Sequence, residues 1–239
     1  MRTTALVPWR ELAPLLATLT ALGALTACGP ETTPSWDLVH DRIVAVRASA
    51  PGLAPGSSAT IDVLVTSETG GPAEVAPLLV SVVPTTPATL AGAVGPSGQV
   101  TAPDAAALAE ARIALGLVAG APVPLGLVVT VAIGDQVFVA VKTVWLGADV
   151  ANPAIDAVRI NGAAAIDAAA AAAVGESELA IDAATDDEIA WLTSIGELED
   201  EQDLIAHLTV EAPIDGQIVV VRRDRRGGVA WRVVALRVQ

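Results

Sequence analysis

The chain has 239 residues, of which 13 are basic and 27 acidic, so its formal net charge is −14 at pH 7. Such an acidic balance argues against a nucleic-acid-binding surface and against electrostatic attraction to anionic lipid. A single cysteine excludes a disulfide framework, and the length allows one large domain or two of about 100 residues each.

The first 27 residues have the three zones of an export signal. Arg2 and Arg10 supply a positive start, and residues 12–27 then carry no charge. This uncharged run is shorter than the ~20 apolar residues that a membrane-spanning helix needs, and it contains Pro14. We therefore predict a helical signal peptide over residues 1–27.

The signal ends in Leu25-Thr26-Ala27-Cys28, which resembles the lipobox of bacterial lipoproteins: an aliphatic residue, two small residues and an invariant cysteine. The resemblance implies that the Cys28 thiol accepts a diacylglyceryl group and that cleavage before Cys28 exposes an amine for a third, palmitate-like chain. Two or three acyl chains hold a protein stably on a membrane. The alternative is an ordinary secretory signal, or an uncleaved anchor, with an incidental cysteine. Cys28 has no second cysteine to pair with, which favours the lipobox interpretation.

Cleavage would leave a lipidated tether over residues 28–36 and a more acidic body. Because Arg2, Arg10 and Glu11 leave with the signal, 11 basic and 26 acidic side chains remain, and the formal charge becomes −15. Lipid on Cys28 predicts a location at the cell membrane. Gly29, rather than aspartate, follows the cysteine, and the resemblance to Gram-negative lipoproteins then implies sorting to the outer membrane.

The first part of the body, residues 37–150, alternates apolar strands with turns. Pro and Gly residues separate the predicted strands. One stretch, Pro103 to Leu115, is instead rich in alanine and predicts a short helix inserted between strands. The predicted strands include 43–46, 60–65, 78–83, 125–133 and 136–145.

The second part, residues 151–239, begins after an Asn-Pro pair and has the same plan. Its predicted strands are 155–160, 178–181, 189–193, 204–210, 216–223 and 229–238. The alanine-rich stretch Ala163 to Ala173 favours helix intrinsically but stands where two strands must connect. We predict a loop or one to two helical turns for it.

Residues 152–239 resemble a bacterial immunoglobulin-like domain. The stretch from Glu188 to Leu198 carries Trp191 and a glycine turn, and is similar to the third-strand tryptophan motif of those domains. The chain end, 216–238, is similar to their final hairpin. Residues 37–147 match in outline only, and the intersheet cysteine pair is absent. The resemblance implies a mainly β protein with two immunoglobulin-like β-sandwich domains in tandem. Uncharacterised lipoproteins of high-GC Gram-negative bacteria are similar throughout, but this likeness implies no activity.

A search for catalytic groups predicts no enzyme, no cofactor and no metal site. Gly-x-Ser-x-Gly, phosphate-binding glycine loops and His-Glu-x-x-His are all missing from the sequence. His40 and His207 lie before and within predicted strands, where a structural role is the simpler interpretation. A hydrolase built on carboxylates alone remains the alternative.

Two charge clusters have alternative interpretations. The acidic cluster could bind Ca²⁺ between sandwich-end loops or be a solvated loop; it comprises Asp182, Asp186, Asp187, Glu188, Glu197, Glu199, Asp200, Glu201 and Asp203. The basic cluster could bind lipid phosphate or an acidic polysaccharide, or it could pair with those acids; it comprises Arg222, Arg223, Arg225 and Arg226.

Three functional hypotheses follow from these patterns, one of them the carboxylate hydrolase. The first is a membrane-anchored lipoprotein with a non-enzymatic structural or interaction role in the cell envelope, where its partner would be an envelope protein or a glycan. The second is a glycan- or Ca²⁺-binding envelope protein that uses loops at one end of a sandwich. The exposure of the tryptophans separates them, because glycan surfaces need exposed aromatic faces. We expect Trp36, Trp145, Trp191 and Trp231 to be core anchors.

Overall fold

A computed structural model describes residues 34–165 and 169–239. The predicted signal peptide over residues 1–27, Cys28 and the tether as far as residue 33 lie outside the described residues. The described chain is mainly β and forms two immunoglobulin-like β-sandwiches, as the sequence predicts. Ser35–Gln239 is one compact unit, and a domain boundary at residue 150 stays a prediction.

The first sandwich has a three-stranded sheet, β1-β4-β5, facing a four-stranded sheet, β2-β9-β8-β6, with a small β3-β7 pair beside them. Between β6 and β8 the chain forms a 3-10 helix, Ala88–Ala93, and helix α1, Ala105–Ala114. Asp104 caps α1 by accepting a hydrogen bond from the Ala107 amide, and this confirms the predicted inserted helix. The strands are β1 Arg42–Ala48, β2 Gly52–Leu53, β3 Ser58–Ala59, β4 Ile61–Thr66, β5 Ala73–Val75, β6 Leu79–Val82, β7 Val100–Thr101, β8 Val123–Ile133 and β9 Gln136–Leu146.

The second sandwich has sheets of order β11-β10-β13-β16-β15 and β12-β18-β17-β14. In immunoglobulin order, β10, β13, β16 and β15 take the places of the first, second, fifth and fourth strands, and β14, β17 and β18 those of the third, sixth and seventh. The strands are β10 Val158–Ile160, β11 Ala163–Ala164, β12 Ala169–Ala172, β13 Gly175–Ile181, β14 Glu188–Thr193, β15 Glu197–Glu199, β16 Ile205–Val210, β17 Asp215–Arg223 and β18 Val229–Val238.

The alanine-rich stretch corrects the sequence prediction of a loop or helical turns. Ala163–Ala164 pair with β10, and Ala169–Ala172 run parallel to β18 in the opposite sheet. The exposed main chain of an edge strand offers hydrogen bonds, and these outweigh the modest helix preference of alanine. Ala170 and Ala172 also pack on the core, where larger side chains are not needed.

Three apolar cores hold the body together. One lies inside each sandwich, and the third, here called the joint core, lies between β1-β4-β5 and β12-β18-β17-β14. Alternate side chains of β17 enter different cores. Ile218 and Val220 pack in the core of the second sandwich, and Val219 and Val221 pack in the joint core. The four sheets therefore stack face to face. The joint core consists of Leu38, Ala45, Leu64, Leu192, Val219, Val221, Val229 and Trp231.

Candidate interaction surfaces

The first described residues of the body are fixed to both sandwiches. The Thr193 amide donates to the Trp36 carbonyl, and the Leu38 amide donates to the Thr193 carbonyl, both at 2.9 Å. Arg42, at the start of β1, donates to the carbonyls of Ser35 and Asp37 at 2.9 and 2.6 Å. The chain thus leaves the predicted tether along the edge of β14 before it builds the first sandwich.

The arginine-bearing hairpin between β17 and β18 is ordered by Asp224. Its carboxylate accepts hydrogen bonds from the amides of Arg226 and Gly228 at 2.9 and 2.7 Å. Gly227 adopts φ +82°, a left-handed conformation that suits glycine. The carbonyl of Gly227 accepts a hydrogen bond from Lys142 Nζ at 2.6 Å, so the hairpin is docked on the first sandwich.

Three of the four hairpin arginines pair with the first half of the acidic cluster. Arg222 bonds to the largely buried Asp187 and also donates to the Ala154 carbonyl at 2.6 Å. The remaining pairs are Arg223 with Glu188 at 3.3 Å and Arg225 with Asp186 at 3.5 Å. Of the two interpretations of the basic cluster, these contacts match the one in which its arginines pair with acids of the same chain. For Arg226 no side-chain partner occurs among residues 34–165 and 169–239.

Asp182, the fourth acid of this half, pairs with Arg159 of β10 at 2.7 Å. The hydrogen bond from Arg159 and its positive charge lower the pKa of the Asp182 carboxyl. An exposed pair of this kind stabilises the fold little. Its effect is to cancel repulsion in an acidic molecule.

The second half of the acidic cluster supports the core tryptophan with main-chain atoms. The Trp191 amide donates to the Glu201 carbonyl at 2.8 Å, and Trp191 Nε1 donates to the Asp203 carbonyl at 2.9 Å. The two carboxylates of β15, Glu197 and Glu199, lie outward on the edge of their sheet. Within the part of the chain that the structure describes, no group of three or more acidic, histidine or cysteine side chains could hold a metal ion.

The outer face of the five-stranded sheet is strongly acidic, and His207 lies at its centre. Glu178 and Glu199 are its cross-strand neighbours, and Glu176 and Glu197 lie one diagonal away. His207 Nδ1 is 3.0 Å from Glu176 Oε1. Like charges side by side on an edge strand discourage pairing with other chains. This face is therefore suited to remaining in water.

Polar groups cross the joint between the sandwiches. Asn152 donates to the carbonyls of Ala48 and Ser49 at 2.7 and 3.2 Å, and its Oδ1 accepts from the Val229 amide at 2.9 Å. Trp231 Nε1 donates to Glu74. These bonds give the joint a fixed geometry that apolar packing alone would not specify.

Arg47 completes this joint. Its guanidinium lies 3.9 Å from the centroid of the Trp231 ring and 3.4 and 3.5 Å from Asp62 and Glu74. The cation–π contact and the two carboxylates together place the arginine between the sandwiches.

Of the four tryptophans beyond residue 27, Trp191 and Trp231 are buried as predicted, whereas the other two are only partly buried. Trp191 is 1% exposed and Trp231 9%. Trp36 and Trp145 are half-buried; Trp36 packs on the core of the second sandwich, and Trp145 lies near Gly227 of the docked hairpin. A glycan-binding platform needs exposed aromatic faces, and Trp191 and Trp231 do not offer them.

Comparison with known proteins identifies no relative by sequence, since no family model and no curated protein matches the chain. Solved structures do match it. Tandem Ig repeats of Dlar align with 13% identity over 84% of this chain and 98% of that one, at a TM-score of 0.31. A chimeric titin Z1Z2 aligns with 14% identity over 83% and 96%, at a TM-score of 0.26. The fold assignment rests on the chain's own strand order.

Sequence reasoning missed the joint and its polar bonds. The sequence did contain a signal, because β9 and β17 are apolar on both alternating faces. A strand of a single sandwich needs only one apolar face. Two apolar faces therefore indicate a second packed layer or an unoccupied surface.

Proposed function

We propose that this chain is a membrane-anchored lipoprotein of the cell envelope with a non-enzymatic structural or interaction role. The observation that carries the proposal is the single cysteine, Cys28, at the end of Leu25-Thr26-Ala27. Two or three acyl chains on that residue would hold the protein on the membrane. In the described residues no helix is long and apolar enough to cross a membrane.

The structure of the body supports a passive role near the membrane. The tether would reach roughly 20 Å if extended, and it joins the body where Ser35–Leu38 are fixed to both sandwiches. Four stacked sheets with a bonded joint form a stiff unit. Such a body suits a spacer or a docking platform.

One cleft of the described surface shows how few candidate catalytic groups lie together there. This cleft of about 440 Å³ is bordered by β15, β16 and the loop to β17. Its polar side chains are Glu197, Thr209 and Glu211, with no histidine, cysteine or basic residue among them. A carboxylate can act as general acid, general base or nucleophile, so a hydrolase built on carboxylates alone would have to use Glu197 and Glu211 here without help from a histidine, a cysteine or a basic residue. We therefore propose interaction through surfaces.

The alternative, binding of glycan or Ca²⁺ by sandwich-end loops, has no specific observation in its favour. The acids at the start of the cluster pair with arginines, and none of Trp36, Trp145, Trp191 and Trp231 is fully exposed. A calorimetric titration with millimolar Ca²⁺ tests it separately, since heat and a raised melting temperature would revive it.

The proposal is tested by fractionating cells that express the full chain. Wild type and a neighbouring control, Thr32→Ala, should be recovered with membranes and partition into the detergent phase. Cys28→Ala should move to the aqueous phase, because it cannot accept the diacylglyceryl group. Retention in membranes of Cys28→Ala from which the signal has been cleaved would refute lipid anchoring, whereas an uncleaved signal would itself hold this variant on the membrane. Separation of inner and outer membranes on a density gradient then tests the predicted outer-membrane location.

A further inference from the structure

The first sandwich has one exposed sheet face that is almost wholly apolar. This face, here called the valine face, belongs to β6, β8 and β9. Val137, Val139 and Val141 point outward from β9 and are 65, 62 and 69% exposed, and Leu79 of β6 is 59% exposed. Thr130 lies between Leu79 and Val139 in register, so the face is continuous across the three strands.

The charge on this face is as unusual as its apolarity. The three strands carry a single charged residue, Lys142. Lys142 lies on the opposite side of β9 from Val141, and its side chain bonds to Gly227 of the second sandwich. Sheets pack about 10 Å apart, so the acidic face around His207 lies about 30 Å away on the far side of the stack. Two copies of a strongly acidic chain would repel each other least through the valine face.

We propose that the valine face is a homodimer interface, in which two copies pack this face against each other about a two-fold axis near Val139. A largely apolar surface without charge can pack against a second copy of itself, as a two-fold contact requires. The four most exposed side chains each present about 100 Å², and with their neighbours the pair of copies would bury about 1,000 Å², near the lower end of specific interfaces. Confinement of anchored copies to one membrane would raise their effective concentration.

A lipid surface fits this face less well than a second copy does. Segments that lie in the membrane interface carry Lys, Arg, Trp or Tyr beside their apolar residues. On β6, β8 and β9 those types are limited to Lys142 and Trp145, and both are engaged with the hairpin of the second sandwich. Short β-branched side chains on a flat sheet instead suit packing against another sheet.

Crosslinking in native membranes tests the dimer. The full chain with Val139→Cys is treated with a bis-maleimide that spans roughly the 10 Å between packed sheets. A crosslinked dimer is expected for Val139→Cys but not for Ile205→Cys, a matched exposed residue on the acidic face. Adding Val141→Glu to Val139→Cys should reduce the dimer at least about tenfold, because each copy would bury an unpaired carboxylate. Adding Ile205→Glu to Val139→Cys instead should leave the amount of crosslinked dimer within about twofold.

The outcomes that overturn the proposal are distinct from failure of the lipid anchor. A dimer in the wild type would come from an unmodified Cys28 and would count against lipidation alone. Equal crosslinking of Val139→Cys and Ile205→Cys would show random collision. If the thiol introduced by Val139→Cys is protected from a membrane-impermeant maleimide without forming a dimer, lipid or another protein covers the face. Free labelling without a dimer would show an uncovered face. Each of these three results contradicts the dimer.

Discussion

Lys142 is the only lysine of the chain, and its side chain connects the two sandwiches by a hydrogen bond. Its ammonium donates to the Gly227 carbonyl at 2.6 Å. Burial, aided by the nearby Arg223 charge and opposed by Asp224, lowers the pKa of Lys142 to about 8 from 10.5. The side chain therefore carries its charge at neutral pH at a cost to the folded state.

This shift predicts that stability rises with pH through the alkaline range. Between about pH 8 and pH 10.5 the unfolded chain binds the proton more tightly than the folded chain. The free energy of unfolding should therefore increase across that window, by about 2 kcal/mol. Urea titrations of purified residues 29–239 measure this. Lys142→Met should abolish the rise, Arg226→Met should keep it, and a rise that survives Lys142→Met would contradict the assignment. The chain has no tyrosine, whose deprotonation at about pH 10 would otherwise overlap this window.

At the level of elements, the sequence predicted the long strands and α1 because their patterns are local. Leu125–Ile133 and Gln136–Trp145 around Gly134 correspond closely to β8, β9 and their two-residue turn. The alanine stretch could not be predicted in this way. Its strand exists because β18 offers a free edge, and that partner lies more than 60 residues later in the chain.

The candidate surfaces were predicted only in part. Pairing of Arg222 and Arg223 with Asp187 and Glu188 was one of two alternatives that charge balance left open. The register that aligns β14 with β17 decided it by placing Glu188 directly opposite Arg223. The valine face and the joint depend on which apolar faces find partners, and a single sequence does not specify that.

The strand assignment of β12 predicts opposite effects for one substitution at two alanines. Ala171 is exposed on β12 and Ala109 is exposed on α1. Valine favours strands and disfavours helices. Ala171→Val should raise the free energy of unfolding by up to about 0.5 kcal/mol, and Ala109→Val should lower it by about 0.5 kcal/mol. A loss of stability at both positions, measured by urea titration, would contradict the strand.

At the level of the whole molecule, the joint core makes the two sandwiches one cooperative unit. Leu64 and Val221, from opposite sides of the joint, are both fully buried there. Neither sandwich can unfold without exposing this surface to water. Apolar burial of this size couples domains that a flexible linker would leave independent.

We therefore predict a single unfolding transition. Pulsed hydrogen exchange at increasing urea should show peptides of β8 and β17 losing protection at the same concentration. Leu64→Asp buries a charge in the joint and should separate the two transitions. Ile113→Asp, on the exposed side of α1, serves as the control and should leave one transition. Two transitions in the wild type would show that the joint does not couple the sandwiches.

The proposed lipid anchor would decide where this body works, and the mass of the amino-terminal peptide tests that proposal most directly. Mass spectrometry of the protein purified from membranes should find a peptide that begins at Cys28 and carries a diacylglyceryl group, with or without a third acyl chain. An unmodified Cys28 within a longer peptide, or a mature chain that begins at another residue, would contradict the account.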